Sequence, residues 1–201
     1  MKEETGQEQL AALYGVIFTE SLNGHHLQPK LEKSRDYKYR NAVIDEKLCE
    51  PCWDKYGSVY PVKDAPTTLE IRLNSHLFCR CSIEWMLSIL AGTATVNGYT
   101  GADYVVKNTG ELPENYMHKT EAKQKGWKPW NGNLWEVLPG VCLYEPYRNA
   151  EGKLPSAPNR KWYEADINYH GGQRNSQRLL FSDDGLLFVS YDHYQTFFQI
   201  V

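Results

Sequence analysis

Residues 160–169 read R-K-W-Y-E-A-D-I-N-Y, and their periodicity decides the fold class. Trp162, Glu164 and Asp166 alternate with Tyr163, Ala165 and Ile167, which predicts a strand carrying both carboxylates on one face. Downstream, Gln177–Ser182 and Leu186–Tyr191 are β-rich runs on either side of Asp183-Asp184-Gly185, a hairpin-turn signal. Thr196–Val201 gives a last strand after the loop Asp192-His193-Tyr194-Gln195. Upstream the period changes. Thr100–Asn108 predicts a short amphipathic helix closed by Gly110, a residue suited to a left-handed C-terminal cap. Lys119–Lys125, ending at Gly126, and Asn133–Leu138, bounded by Pro139-Gly140, predict two more helices. Helices first and an antiparallel meander after define an α+β fold, N-terminal helices packed on a C-terminal antiparallel sheet.

The 201 residues have room for one large domain or two small ones. An apolar fraction of 41% and a charged fraction of 23% exclude wholesale disorder and fibrous repetition. Residues 1–95 carry 11 Lys/Arg against 13 Asp/Glu, and residues 96–201 carry 11 against 12. With no general basic field, any grip on a polyanion rests on local charges. No apolar run approaches the roughly 18–20 residues of a membrane span. The opening Met-Lys-Glu-Glu-Thr-Gly-Gln is polar and acidic and does not read as a signal peptide. Gln9–Thr19 reads as a short helix or strand, His25 and His26 as a solvated loop, and the charged Lys30–Arg40 as a solvated face. Ile83–Leu90 reads as a helix, with Ile83, Leu87 and Leu90 at helical spacing. The small residues from Ala91 to Thr95 then place a boundary between domains at 1–92 and 96–201.

Four of the five cysteines cluster in the first part. C-E-P-C (49–52) and H-L-F-C-R-C (76–81) each present two donors from a tight turn, and two such knuckles make a tetrahedral zinc site. Cys49, Cys52, His76 and Cys79 are the expected ligands. Cys81 is the substitute if Cys-Arg-Cys projects both sulfurs to one strand face. The competing reading is a set of buried or disulfide-forming thiols without metal. Four protein donors leave no open position, so the ion would be structural and the first part a small zinc-stapled domain.

From about residue 96 to the end the chain resembles the barnase-type microbial ribonucleases. The matching blocks are G-A-D-Y (101–104), L-P-E-N-Y (112–116), K-T-E-A (119–122), G-W (126–127), G-N-L (132–134), E-G-K-L-P (151–155), E-A-D-I-N-Y (164–169), R-N-S-Q-R (174–178) and D-H-Y-Q-T-F (192–197). The resemblance implies the same α+β fold and a metal-independent endoribonuclease acting on single-stranded RNA. Such cleavage needs a base for the ribose 2′-OH, an acid for the departing 5′-oxygen, and cations for the charge gathering on phosphorus. Glu164 matches the base and His193 the acid, while Arg174, Arg178 and Lys119 match the cationic cradle. A 2′,3′-cyclic phosphate then forms, and water opens it. Tyr194, Tyr147, Asn149 and Glu151 fall where the family contacts substrate, with Glu151 reading the Watson–Crick edge of guanine, and Arg148 is the candidate to compensate for the arginine that Ala150 replaces. Arg160 and Asp184 match a bracing ion pair, and Asp166 a partner of the two arginines.

Taken singly, a strand glutamate reads as surface charge and a loop histidine as decoration; their joint occurrence inside the blocks gives them roles. Some positions depart from the family pattern. Ala150 stands where an arginine covers the base, Glu145 replaces an aspartate, Gln177 an acidic residue, Gln173 an aromatic one and His118 a threonine helix cap.

C-E-P-C-W, G-S-V-Y-P-V and H-L-F-C-R-C resemble the C-terminal end of phage head-morphogenesis (minor head) proteins. That resemblance implies an adaptor joined to a prophage-linked toxin, secreted or delivered into a target cell and neutralised by a barstar-like immunity protein. The alternative is a non-catalytic phage head component that binds RNA or a partner.

Overall fold

The structure, a computed structural model, describes residues 29–42, 50–76 and 78–201. The expected element at 9–19, the histidines at 25 and 26, and Cys49 lie outside the described residues. Nine strands join in one sheet, and five short helices flank them, among the described residues. The strands are β1 (Leu31–Asn41), β2 (Val59–Pro61), β3 (Ser82–Ile89), β4 (Tyr116–His118), β5 (Cys142–Tyr147), β6 (Trp162–Asp166), β7 (Arg178–Ser182), β8 (Leu187–Ser190) and β9 (Phe198–Ile200). The helices are α1 (Glu50–Lys55), α2 (Thr68–Asn74), α3 (Ala102–Thr109), α4 (Lys119–Gln124) and α5 (Leu134–Val137). The order across the sheet is β2-β1-β3-β9-β8-β7-β6-β5-β4.

The stretch at 160–169 forms β6, and its alternation divides the molecule. Ala165 and Ile167 join Leu179, Val189, Ile200 and Ile89 in a core roofed by Ala102 and Val106 of α3. Trp162 and Leu180 lie on the other side with Phe188, Met86, Tyr37 and Val59. Fully burying a side chain such as Phe188 or Leu180 contributes roughly 1.5–3 kcal/mol. A third core gathers Ala122, Trp127, Leu134, Leu143 and Tyr169 beneath α4 and α5. The helix ends follow their residues. Gly110 caps α3 at φ 77, the left-handed geometry read from the sequence. His118 caps α4 despite its poor propensity, its Nδ1 accepting from the Thr120 N–H at 3.2 Å. Thr67 and Glu70 form a reciprocal capping box that starts α2.

Three expectations need correction. Ile83–Leu90 is β3, not a helix: Met86 enters one core while Ile89 and Leu87 enter the other. Covered on both faces over Met86–Ile89, the strand reads there as a continuous apolar run, which mimics helical spacing over so short a window. Lys30–Arg40 is the long strand β1, with Tyr37 and Arg40 buried, and is more than a solvated face. The sheet is also larger than a C-terminal antiparallel meander. Strand β3 pairs in parallel with β9 through Ser88↔Gln199 and Ile89↔Ile200, so β1–β3 extend the same sheet. A second parallel pair joins β4 to β5, and Pro146 falls on β5 beyond the last β4 partner, at an edge where its missing N–H costs no ladder bond.

Candidate active site

Strand β6 sets Glu164 and Asp166 two residues apart on one face, opposite Leu180 and Arg178 of β7. Asp166 is only 1% exposed and organises two cations. Arg174 grips it with a bidentate fork, Nε at 2.7 Å and Nη2 at 2.6 Å, and Arg178 Nη1 lies 3.2 Å from the same carboxylate. Burial opposes the Arg174 charge, but the Asp166 hydrogen bonds outweigh it and hold the guanidinium above its ordinary pKa. Trp127 lies beneath Arg174, ring centroid 5.8 Å from the guanidinium carbon.

Glu164 is buried beside these groups. It accepts from Lys119 Nζ at 3.1 Å and from the Tyr194 hydroxyl at 2.5 Å. Lys119 opens α4 and also contacts Glu145, the residue flagged as a departure. Burial and the nearby Arg174 charge lower the Lys119 pKa, and Glu164 opposes that shift. Burial raises the Tyr194 phenol, and its hydrogen bond to Glu164 raises it further.

His193 is exposed, and its ring meets that of Tyr194 at a centroid separation of 4.9 Å. Tyr194 thus links the two residues, its hydroxyl on the Glu164 carboxylate and its ring beside the His193 imidazole. The loop between them is held in a demanding conformation. His193 and Tyr194 adopt φ 56 and 68, left-handed geometry that costs an L-residue roughly 1–2 kcal/mol each. Short-range bonds offset that cost. Ser190 Oγ accepts from the Tyr194 N–H at 2.8 Å, and Asp192 Oδ1 accepts from the Gln195 and Thr196 N–H groups at 3.1 and 2.9 Å. A carboxylate, an imidazole and three cations are the groups that removing one proton, donating another and holding a phosphate require.

The loop at 147–154 borders the same face. Tyr147 stacks on Tyr194 at 5.4 Å, while Arg148, Ala150 and Glu151 are exposed. The Asn149 side chain serves its own loop: it donates to Leu154 O at 2.8 Å and accepts from Leu154 N at 3.0 Å, with φ 46. Arg160 brackets Asp184 from Nε at 2.9–3.0 Å, the expected brace. Gln177 accepts from Asn168 Nδ2 at 2.7 Å inside the protein, where an acidic group would bury a charge.

The cysteine cluster lies on another part of the chain. Cys52 Sγ is 3.8 Å from Cys79 Sγ and 2.9 Å from His76 Nε2, and the three donor atoms all lie within 4.8 Å of one another. Two thiolates on one tetrahedral zinc, with bonds of about 2.3 Å, stand about 3.8 Å apart, so the donors fit such an ion. Cys81 is not one of those three. Its sulfur accepts instead from Arg40 Nη2 at 3.6 Å, and the same nitrogen donates to Ser75 Oγ at 3.1 Å. Burial raises the Cys79 thiol, yet hydrogen bonds from Cys81, Cys52 and Ser75 bring it down to about 7, a proton-poor donor suited to a cation.

A family model described as ribonuclease matches residues 100–201. The chain belongs to this ribonuclease family. A ribonuclease of Heyndrickxia coagulans is 46% identical over 109 residues, covering 53% of this chain and 99% of that protein. Ribonucleases of Bacillus intermedius and Bacillus pumilus are each 46% identical over 109 residues, covering 67% of their own length. The protein is therefore an RNA-cleaving enzyme of the barnase type. Sequence reasoning assigned no part in this ribonuclease to Lys153, Ser190, Asp192 or Trp127. Ser190 and Asp192 had a usable signal, because Ser and Asp before a turn commonly bond backbone N–H groups a few residues on. Lys153 and Trp127 had none, since their partners at Tyr194 and Arg174 are remote in sequence.

Proposed function

We propose that this ribonuclease cleaves single-stranded RNA in two steps at the face between β6 and the His193 loop. Glu164 takes the 2′-OH proton, the 2′-oxygen attacks phosphorus, and His193 protonates the 5′-oxygen as that bond breaks. Water then opens the 2′,3′-cyclic phosphate with the two residues in exchanged roles. Arg174, Arg178 and Lys119 hold the phosphoryl oxygens, so the charge stabilisation comes from side chains and the chemistry needs no metal. The observation that carries this reading is Tyr194 in contact with both Glu164 and His193. Guanine preference follows from Glu151 on an exposed loop beside Tyr147, an aromatic platform already stacked on Tyr194. A panel of dinucleotides in buffer without added divalent cation tests it: guanylyl substrates should yield the cyclic phosphate fastest, and equal rates for all four bases would refute the preference.

The first part of the chain is proposed to be an adaptor carrying one structural zinc on Cys52, His76 and Cys79, with Cys49 as the fourth donor and Cys81 as its substitute. Elemental analysis should find about one zinc per chain, lost in Cys52→Ser; a folded wild type without metal refutes the site. The phage-head likeness of this part supports a role as a delivered or secreted toxin, with a barstar-like immunity protein covering the catalytic face. No helix among the described residues is long and apolar enough to cross a membrane.

A further inference from the structure

The His193 loop is held by its own residues and by Lys153, and it is backed by a turn from the first part of the chain. Ser190 and Asp192 support the loop from within. Opposite them stands Lys153, 7% exposed, whose Nζ donates to Tyr194 O at 3.1 Å. The Lys153 carbonyl in turn accepts from the Val59 N–H at 2.6 Å, at the start of β2. Two residues earlier, Gly57 sits at φ 77 with its α-carbon pressed on the loop: a β-carbon there would stand 2.1 Å from Gln195 O. This turn is itself anchored to β1, since Gly57 N–H donates to Arg40 O at 3.0 Å and Arg40 N–H to Ser58 O at 2.9 Å. The turn between α1 and β2 therefore braces the two left-handed residues that carry the proposed acid.

We infer that the turn Tyr56–Val59 is a positioning element for RNA cleavage, fixing the His193–Tyr194 loop against Glu164 through Lys153 and through the close approach of Gly57 to Gln195. The inference rests on the reading of His193 as the acid. It makes the first part of the chain a contributor to turnover and not only a carrier. Tyr194 belongs both to the braced loop and to the residues expected to contact substrate, whereas Glu164, Lys119 and the arginines lie outside the loop, so disturbing the brace should act on the chemical step more than on binding.

Gly57→Ala in the full chain is the direct test. We expect kcat to fall between about tenfold and a hundredfold and KM to rise by a smaller factor, because displacements near an ångström cost that much when reacting groups are misaligned. Hydrogen exchange of the amides at 192–196 should quicken in the same variant. Lys153→Met, which keeps the stem and removes the donor to Tyr194 O, should do both to a lesser degree and serves if Gly57→Ala does not fold. Ile71→Val loosens the small cluster around Cys52 and Cys79 without touching the loop, and should lower the melting temperature while leaving kcat unchanged. Folded Gly57→Ala and Lys153→Met with wild-type kcat and wild-type exchange at 192–196 would overturn the inference. So would an equal loss of kcat in Ile71→Val, which would make the effect one of general stability. Should the wild type not cleave RNA, the catalytic reading fails by itself, and the exchange comparison still decides whether the turn holds the loop.

Discussion

Replacing Asp166 by asparagine keeps the shape of the side chain and removes the charge that two guanidiniums share. The carboxylate is 1% exposed, and it takes both arms of the Arg174 fork and one nitrogen of Arg178. An amide turns at least one of those acceptors into a donor facing a donor, leaving two cations uncompensated beside each other. Breaking a buried pair by removing one partner costs roughly 3–5 kcal/mol, and the doubled contact here places Asp166→Asn in that range. For a chain of this size each kcal/mol lowers the melting temperature by about 2–4 °C, so a fall of roughly 6–20 °C is expected. Urea unfolding should show the midpoint displaced with the slope unchanged. Pairing the variant with Arg174→Ala should recover part of the loss, a coupling of about 0.5–3 kcal/mol, because removing one cation relieves the repulsion the first change exposed. If Asp166→Asn lies within about 0.5 kcal/mol of wild type, the carboxylate does not organise the cationic side of the site and the reasoning fails.

Two further outcomes follow from individual contacts. Tyr194→Phe removes the hydroxyl that donates to Glu164, a bond to a charged acceptor, and should cost about 1.5–3 kcal/mol in urea unfolding; no loss would mean the phenol does not hold the carboxylate. The Asp184 carboxyl is held below the ordinary aspartate value by hydrogen bonds from Arg160 and then Ser182. A carboxylate depressed in the folded state stabilises it above the unfolded pKa, and that contribution fades as pH falls through the folded value. Arg160→Ala should therefore flatten the acid limb of the stability–pH curve relative to wild type, and parallel curves would remove the brace from the account.

Much of the ribonuclease part was legible because its signals are local. Alternation over 160–169 gave β6 and the shared face of Glu164 and Asp166, and Gly110 marked the end of α3. The catalytic set was legible only jointly, through blocks in order, since each residue alone has a commoner use. What stayed hidden depends on long-range pairing. β3 looked helical because both its faces are covered over Met86–Ile89, and nothing in Ser88 or Ile89 announces Gln199 and Ile200 as neighbours. The support of the His193 loop by Gly57 and Lys153 is invisible for the same reason: a glycine reads as a turn, and only the fold brings Gln195 against it. The cysteine cluster lies between these cases, with the spacing of each knuckle local and the meeting of Cys52 with His76 and Cys79 set by the fold.

The central claim is that Glu164 and His193 work across one scissile phosphodiester, and single-turnover cleavage of a guanylyl dinucleotide tests it most directly. Wild type, Glu164→Ala and His193→Ala are compared without added divalent cation, following the 2′,3′-cyclic phosphate as it forms and decays. The account predicts that wild type accumulates and then hydrolyses that product, with each variant slower by about 10²–10⁴-fold, the usual contribution of a positioned acid or base. Equal slow rates in wild type and Glu164→Ala would contradict it.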